Sequence, residues 1–221
     1  MMINKITDYL DSLFPDPICE LNYNKDYELL LAIVMSAQTT DKRVNSVTEI
    51  LFKKYDTLEK LSTANLEDIE NIIRPIGTFK KKSIFIKEIA TRLLEDNYKI
   101  VPNDRKYLES LPGVGRKTVN VFLSVIYEEP AIAVDTHVER VSKRLGLAGD
   151  HDSVLEVEKK LMKKLPKHKW SKTHHQMVLF GRYKCKSMAP LCTDCQLKDI
   201  CKYQKNKIKK YNKNKSKVVQ N

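Results

Sequence analysis

The chain has 221 residues, 42% of them hydrophobic, which is enough for one or two domains with a real core. Its net charge is +12, but eight lysines and no acid lie in 202–221, so the rest carries only +4. The longest apolar run, Leu29 to Met35, is far short of the roughly 20 residues that a membrane span needs, and the N-terminus lacks a signal-peptide core. A cytoplasmic protein is expected, with a nucleic acid as the partner that a basic balance favours and no membrane. The Lys- and Asn-rich tail reads as disordered, either as a salt-sensitive attraction for nucleic acid or as a solubilising appendage.

In chain order, the apolar spacing predicts helices at Asn4–Leu13, Asp26–Ser36, Lys42–Lys54, Leu66–Ile73, Lys80–Asn97, Arg105–Ser110, Arg116–Tyr127, Thr136–Leu145, Val154–Leu165 and Trp170–Tyr183. No convincing strand pair competes with them. Ile100–Val101 and Ala131–Val134 are short extended pieces bounded by proline and read as connectors. No repeat of 20–50 residues is present. The expected fold class is therefore all-α. Cys19 reads as a small apolar residue in a helix or turn.

Between Arg105–Ser110 and the helix from Arg116 lies Leu111-Pro112-Gly113-Val114-Gly115. Pro112 cannot continue a helix, and Gly113 and Gly115 are expected to take the positive φ of a tight reversal. The amides from Gly113 to Lys117, including those of Val114 and Arg116, would then face an anion at a positive helix end. An ordinary glycine-capped turn explains the same residues. Lys117 stands at the first turn of the new helix. An amine attacks only when neutral, and a helix N-terminus and partial burial both enlarge the neutral fraction, whereas a nearby carboxylate does the opposite. In a lysine-rich chain the plain alternative is a solvated surface residue. Further on, Asp135 is positioned as the N-cap of Thr136–Leu145, and the same carboxylate could act as a base or stabilise positive charge at a sugar C1′.

Four of the five cysteines, Cys185, Cys192, Cys195 and Cys201, form a C-x6-C-x2-C-x5-C loop. Four thiolates on one loop in a reducing compartment can surround a tetrahedral zinc or an iron-sulfur cubane. Zinc sites usually pair two short C-x2-C turns and only one occurs here, which tilts the reading toward iron and sulfur. Lys184, Lys186 and Lys198 flank the loop, so a staple that offers cations to phosphates is the expected role.

LPGVGRKT, AVDTHVERV eighteen residues past Lys117, FGRYKC and the cysteine loop stand in the order and spacing of the endonuclease III DNA glycosylases, and the likeness extends to Met35–Asp41 and Ile76–Gly77. The chain resembles that family over about residues 1–203. The resemblance implies a helix-hairpin-helix glycosylase fold of two helical domains. One is a barrel-like domain at 19–130; the other, 1–18 with 131–203, carries a 4Fe-4S cluster, and 204–221 is left as the tail. A monomer is expected, with damaged double-stranded DNA in the groove between the domains.

The resemblance also assigns roles. Lys117 matches the nucleophile that attacks C1′ of a flipped nucleotide and forms a Schiff base, which leads to β-elimination; Asp135 matches its acidic partner. Gln38 matches a residue that fills the gap left by flipping. The wedge position, commonly leucine, is Thr78 here, so Phe79 is the substitute candidate, with a core aromatic as its plain alternative. Asp41 and His137 match positions close to the DNA, although Asp41 could simply start a helix. Removal of oxidised pyrimidines follows from this family; an adenine glycosylase is the rival that Lys117 argues against, and a non-enzymatic DNA-gripping module is the other alternative.

Overall fold

The computed structural model describes residues 2–209. Among them there is no strand, and eleven α-helices precede a further helical stretch at 202–209: α1 Met2–Leu13, α2 Asp26–Met35, α3 Asp41–Lys54, α4 Leu58–Thr63, α5 Leu66–Ile73, α6 Phe79–Glu95, α7 Arg105–Ser110, α8 Arg116–Ile126, α9 Thr136–Leu145, α10 Val154–Lys164 and α11 Trp170–Leu179. A 3-10 turn, Lys167–Lys169, precedes α11, and a π-turn, Phe180–Lys184, follows it. The chain forms two compact units, Cys19–Glu129 and a second made of Met1–Ile18 with the residues from Pro130 on. No described helix is long and apolar enough to cross a membrane.

In the Cys19–Glu129 unit, α2 is the buried axis. Every residue from Tyr27 to Met35 is buried, and a helix that is apolar all round has no solvent face to offer. Its carboxylate Glu28 survives burial by accepting from the amides of Asn24 (2.7 Å) and Lys25 (3.2 Å). α3, α6 and α8 pack on α2, and α4 and α5 pack on α6. Replacing one fully buried leucine of this helix, such as Leu30, by alanine should cost about 2–5 kcal/mol.

α4 has no counterpart among the predicted helices. It is six residues long, capped by the Thr57 hydroxyl on the Lys60 amide, and buries only Leu58 and Leu61. One and a half turns give no periodicity to read, and packing on α6 holds it.

In the second unit, α9 is the hub, in contact with α10, α11 and the π-turn, while α1 packs on α11. Asp135 caps its N-terminus, and Gly146 at φ +78° ends it, with the Leu147 amide reaching back to Ser142 O at 2.8 Å. The segment Ala131 to Val134 is a buried extended connector. The helix expected as far as Tyr183 changes register at Phe180, where the Cys185 amide closes on Phe180 O at 2.7 Å. Close packing explains the change. A Cβ on Gly181 would lie 2.9 Å from the Cβ of His137 and 3.2 Å from Val141, so this turn sits directly on α9.

The tail expected to be disordered from 204 is helical at 202–209. Local contacts order its start: the Arg144 guanidinium lies 4.6 Å from the Tyr203 ring centre, and Lys202 pairs with Asp150 at 2.8 Å. The rest of that tail, 210–221, lies outside the described residues.

Candidate functional site

The hairpin joins α7 to α8. Gly113 has φ +75°, and a Cβ there would fall 2.4 Å from Cδ2 of Phe85 on α6. Only glycine fits, on conformation and on space alike. Gly115 differs from the expectation. Its φ is −109°, an extended value open to any residue, and nothing lies within 4 Å of an added Cβ. Its bareness leaves room outside the protein rather than permitting a backbone turn. The expected row of anion-facing amides is also shorter, because the Val114 amide is spent on Leu111 O at 3.1 Å. The first amide of α8 to reach back along the helix is that of Val119, to Gly115 O at 3.0 Å. Gly115 and the first turn of α8 thus form the open anion-facing end.

Lys117 stands in that first turn and is exposed. The partial burial expected to favour its neutral form is absent from the free protein. Arg116 beside it is exposed as well.

On the same unit, Gln38 at φ +56° and Thr78 at φ +55° are two of four non-glycine residues in the left-handed region, with Asn97 and Glu128. The Gln38 and Thr78 turns are neighbours, since a Cβ on Gly77 would lie 3.9 Å from Gln38 O. Both side chains are exposed, which suits groups that enter DNA. The Thr78 hydroxyl donates to Gly77 O at 2.7 Å, so it is already turned toward its own backbone. Phe79 is half-buried, with the Arg74 guanidinium 5.5 Å from its ring centre. Asp41 is the first residue of α3, and Thr40 before it makes no side-chain cap bond.

The second unit holds the other named groups. Oδ1 of Asp135 accepts from the amides of His137 (2.9 Å) and Val138 (2.8 Å). Both bonds fall on one oxygen, and no described residue bonds Oδ2. Capping and chemistry can therefore use different atoms of one carboxylate. His137 Nδ1 lies 3.1 Å from Nη2 of Arg140. A guanidinium only donates, so any hydrogen bond in this contact runs from Arg140 to Nδ1. Burial, above all, holds the His137 ring below the ordinary histidine value, the Asp135 charge opposing it.

All four loop cysteines, with Leu145 and Phe180 among their neighbours, line one pocket. They are unpaired by disulfides. Burial pushes the thiols of Cys185 and Cys195 up, with the Arg144 guanidinium opposing it at Cys185. Among the described residues no three His, Cys, Asp or Glu side chains are drawn close enough to hold a single metal ion. Lys184 extends to the Tyr9 ring, 5.7 Å from its centre, and the Tyr9 hydroxyl holds its amine above the usual value. Cys19 is half-buried in the other unit.

Sequence reasoning missed the residues that hold these groups in place. Arg140 bonds Gly181 O (2.7 Å) and Cys185 O (3.3 Å), and Arg144 bonds Lys186 O (2.6 Å), Ser187 O (2.9 Å) and Cys185 Sγ (3.5 Å). Two arginines four apart on one helix face were the available signal. Phe85 and Lys82 on α6 gave none, because what they touch is distant in sequence.

The model of the HhH-GPD superfamily of base excision DNA repair proteins matches residues 31–167. Endonuclease III of Bacillus subtilis is 48% identical over 203 residues, 92% of this chain and 93% of that protein. Endonuclease III of Escherichia coli K12 is 40% identical over 190 residues, 86% of this chain and 90% of its own length. A trapped covalent endonuclease III–DNA intermediate shares the fold at TM-score 0.89 and 50% identity, covering 93% of this chain and 97% of that one. A non-covalent endonuclease III–DNA complex does so at TM-score 0.90 and 49% identity, with 94% and 97% covered. With the lysine hairpin, the capped aspartate and the four-cysteine pocket in place, the chain belongs to the endonuclease III family of HhH-GPD base excision DNA repair enzymes.

Proposed function

We propose that this protein is a bifunctional DNA glycosylase and abasic-site lyase that removes oxidised pyrimidines from duplex DNA. The observation that carries the reading is Lys117, exposed in the first turn of α8 beside a glycine with open space around it. A phosphate can approach the bare Gly115 backbone, and the same approach brings a sugar to the amine. The likeness to a covalently trapped endonuclease III–DNA intermediate supports an attacking residue in this fold.

In this reading Nζ of Lys117 forms a bond to C1′ as the bond to the damaged base breaks, and the electron pair leaves with the base. The sugar ring then opens to a Schiff base, loss of a C2′ proton follows, and the C3′–O bond breaks with departure of the 3′ phosphate. Because the free protein does not bury Lys117, the helix start and the bound nucleotide have to supply what favours the neutral amine. Asp135 offers Oδ2 to the charge developing at the sugar while Oδ1 keeps α9 capped. Gln38 and Thr78 face the gap left by the flipped nucleotide, with Phe79 braced behind them. Gly113 and Val114 shape the hairpin, and Arg116, His137 and Lys184 contribute charge or donors to the phosphate backbone; Asp41 holds the start of α3 next to the Gln38 turn.

Cys185, Cys192, Cys195 and Cys201 would hold a 4Fe-4S cluster. Their pocket suits a cubane, which spreads its four sulfur ligands more widely than the tetrahedron of about 2.3 Å bonds around zinc. The cluster would supply a fixed cationic anchor for the loop. The purified protein should contain iron and sulfide, about four of each per chain for a cubane; stoichiometric zinc without iron would contradict the assignment.

The functional test is a set of duplexes, each with one lesion. Base release and strand cleavage are expected on an oxidised pyrimidine and not on the undamaged sequence; activity confined to mispaired adenine would replace this reading with the adenine-glycosylase one.

A further inference from the structure

Among the described residues Lys82 is the most deeply buried lysine or arginine, 3% exposed on α6, and no described carboxylate pairs with it. Instead its Nζ reaches three acceptors of one loop: Met35 O at 2.8 Å, Ala37 O at 2.7 Å and the Thr39 hydroxyl at 3.2 Å. An ammonium has three N–H donors, and all three are used on the residues that flank Gln38. Met35 is the last residue of α2, so its carbonyl lies at the negative end of that helix and favours a cation. The backbone of Lys82 closes the other half of the arrangement, its amide donating to Thr78 O at 3.1 Å. A single residue thus ties together the two left-handed turns at Gln38 and Thr78.

The order of contacts along α6 makes this more than a satisfied polar group. Thr78 caps the helix, Lys82 one turn later holds the Gln38 loop, and Phe85 three residues on lies under Gly113. A cation that bonds Ala37 O and Thr39 Oγ1 draws both neighbours of Gln38 inward and leaves residue 38 as the exposed apex. Without the charge, Met35 O would lose this donor and Ala37 O would keep only the Thr39 hydroxyl at 3.4 Å, so the loop that holds Gln38 in the left-handed region would lose its tie to α6. We infer that Lys82 is a positioning residue for damage recognition, acting through Gln38 and Thr78 to set how the gap opposite a flipped nucleotide is filled. The inference rests on the glycosylase reading above and deepens it. Burial pushes the Lys82 amine below its usual range.

Filling the gap matters most when a paired base has to be displaced, and less when the site is already abasic, because unpairing then costs little. Two substrates therefore separate the role from general damage to the fold. The experiment uses the full-length protein as wild type, Lys82→Met, Gln38→Ala and the double variant. Single-turnover base release from an oxidised-pyrimidine duplex is compared with strand cleavage at a preformed abasic site in the same sequence. Lys82→Met is expected to slow base release about tenfold or more while abasic-site cleavage stays within about threefold, and to add little in the Gln38→Ala background. Thr39→Val, which removes one of the three bonds at a half-buried position, should show the same split at smaller size and serves if Lys82→Met does not fold.

Equal slowing on both substrates, or effects that multiply with Gln38→Ala, would overturn the inference and leave Lys82 as a structural residue. Wild-type protein inert on both duplexes would instead overturn the glycosylase reading on which it rests.

Discussion

The two units fix their functional groups by different means. In the Cys19–Glu129 unit, one amphipathic helix does most of it. α6 presents Thr78 at its cap, anchors the Gln38 loop through Lys82 and seats Gly113 on Phe85, so the hairpin and the Gln38 and Thr78 turns share one support. In the other unit the cysteine loop has no regular secondary structure between Cys185 and Cys201, and arginines of α9 hold it by bonds to its carbonyls. In the first unit the hairpin rests on the Phe85 ring and the Gln38 turn on one buried ammonium. The second depends on charge-assisted bonds and on whatever occupies the cysteine pocket. The proposed catalytic groups are divided in the same way, Lys117 belonging to the first unit and Asp135 to the second.

Breaking the chemistry without breaking either unit should give the largest effect. Asparagine is as good an N-cap as aspartate, so Asp135→Asn keeps an acceptor for the amides of His137 and Val138. Melting temperature should hardly change, while single-turnover base release falls about 100-fold or more, the scale of a lost charged or general-base group. A melting temperature lowered by many degrees with unchanged base release would assign Asp135 to capping alone.

The next largest effect should fall on the α6 support. Gly113→Ala meets both a positive φ and the Phe85 ring, and should cost about 2–4 kcal/mol by chemical denaturation. Gly115→Ala is its control. With an extended φ and open space, it should leave stability within about 1 kcal/mol yet weaken DNA binding, because the methyl fills the place a phosphate would take. Equal destabilisation by both substitutions would remove the distinction between a turn glycine and a contact glycine.

In the second unit, Arg144→Ala should cost about 1–3 kcal/mol and make the chain near Lys186 and Ser187 an early site of limited proteolysis, while the α6 region stays protected. Uniform protection would mean that the loop holds itself. The smallest effect concerns pH. His137 and His175 both have their rings held below the ordinary value by burial, so the unfolded chain binds more protons than the folded one as pH falls through about 6.5. Stability should be fully present above that value and decline below it; His137→Gln should flatten part of the decline.

What could be read from the sequence was local. Pro112 and Gly113, the aspartate cap of α9 and the cysteine spacing are decided by residues close together in the chain, and each of them is found as an element or a gathered group. Non-local contacts were not legible. Lys82 looks like one more surface lysine in Lys80-Lys81-Lys82, and only the fold shows that its neighbours are exposed while it is buried against residues 35–39. The same limit hid α4, which packing on α6 sustains, and the π-turn, which follows from Gly181 sitting on His137. Gly115 differs because its identity suggests a turn, whereas its φ is extended and the space around it is open. Ordering at 202–209 escaped composition, since Tyr203 against Arg144 outweighs a lysine-rich context.

The central claim is that Lys117 makes the covalent bond to DNA. Borohydride reduction of a mixture with a duplex containing one abasic site tests it directly, read by gel shift and by mass mapping of the cross-linked peptide. Wild-type protein should give a stable adduct on the peptide that contains Lys117, and Lys117→Ala should give none while still binding the duplex. An undiminished adduct in Lys117→Ala, or no adduct in the wild type, would contradict the account.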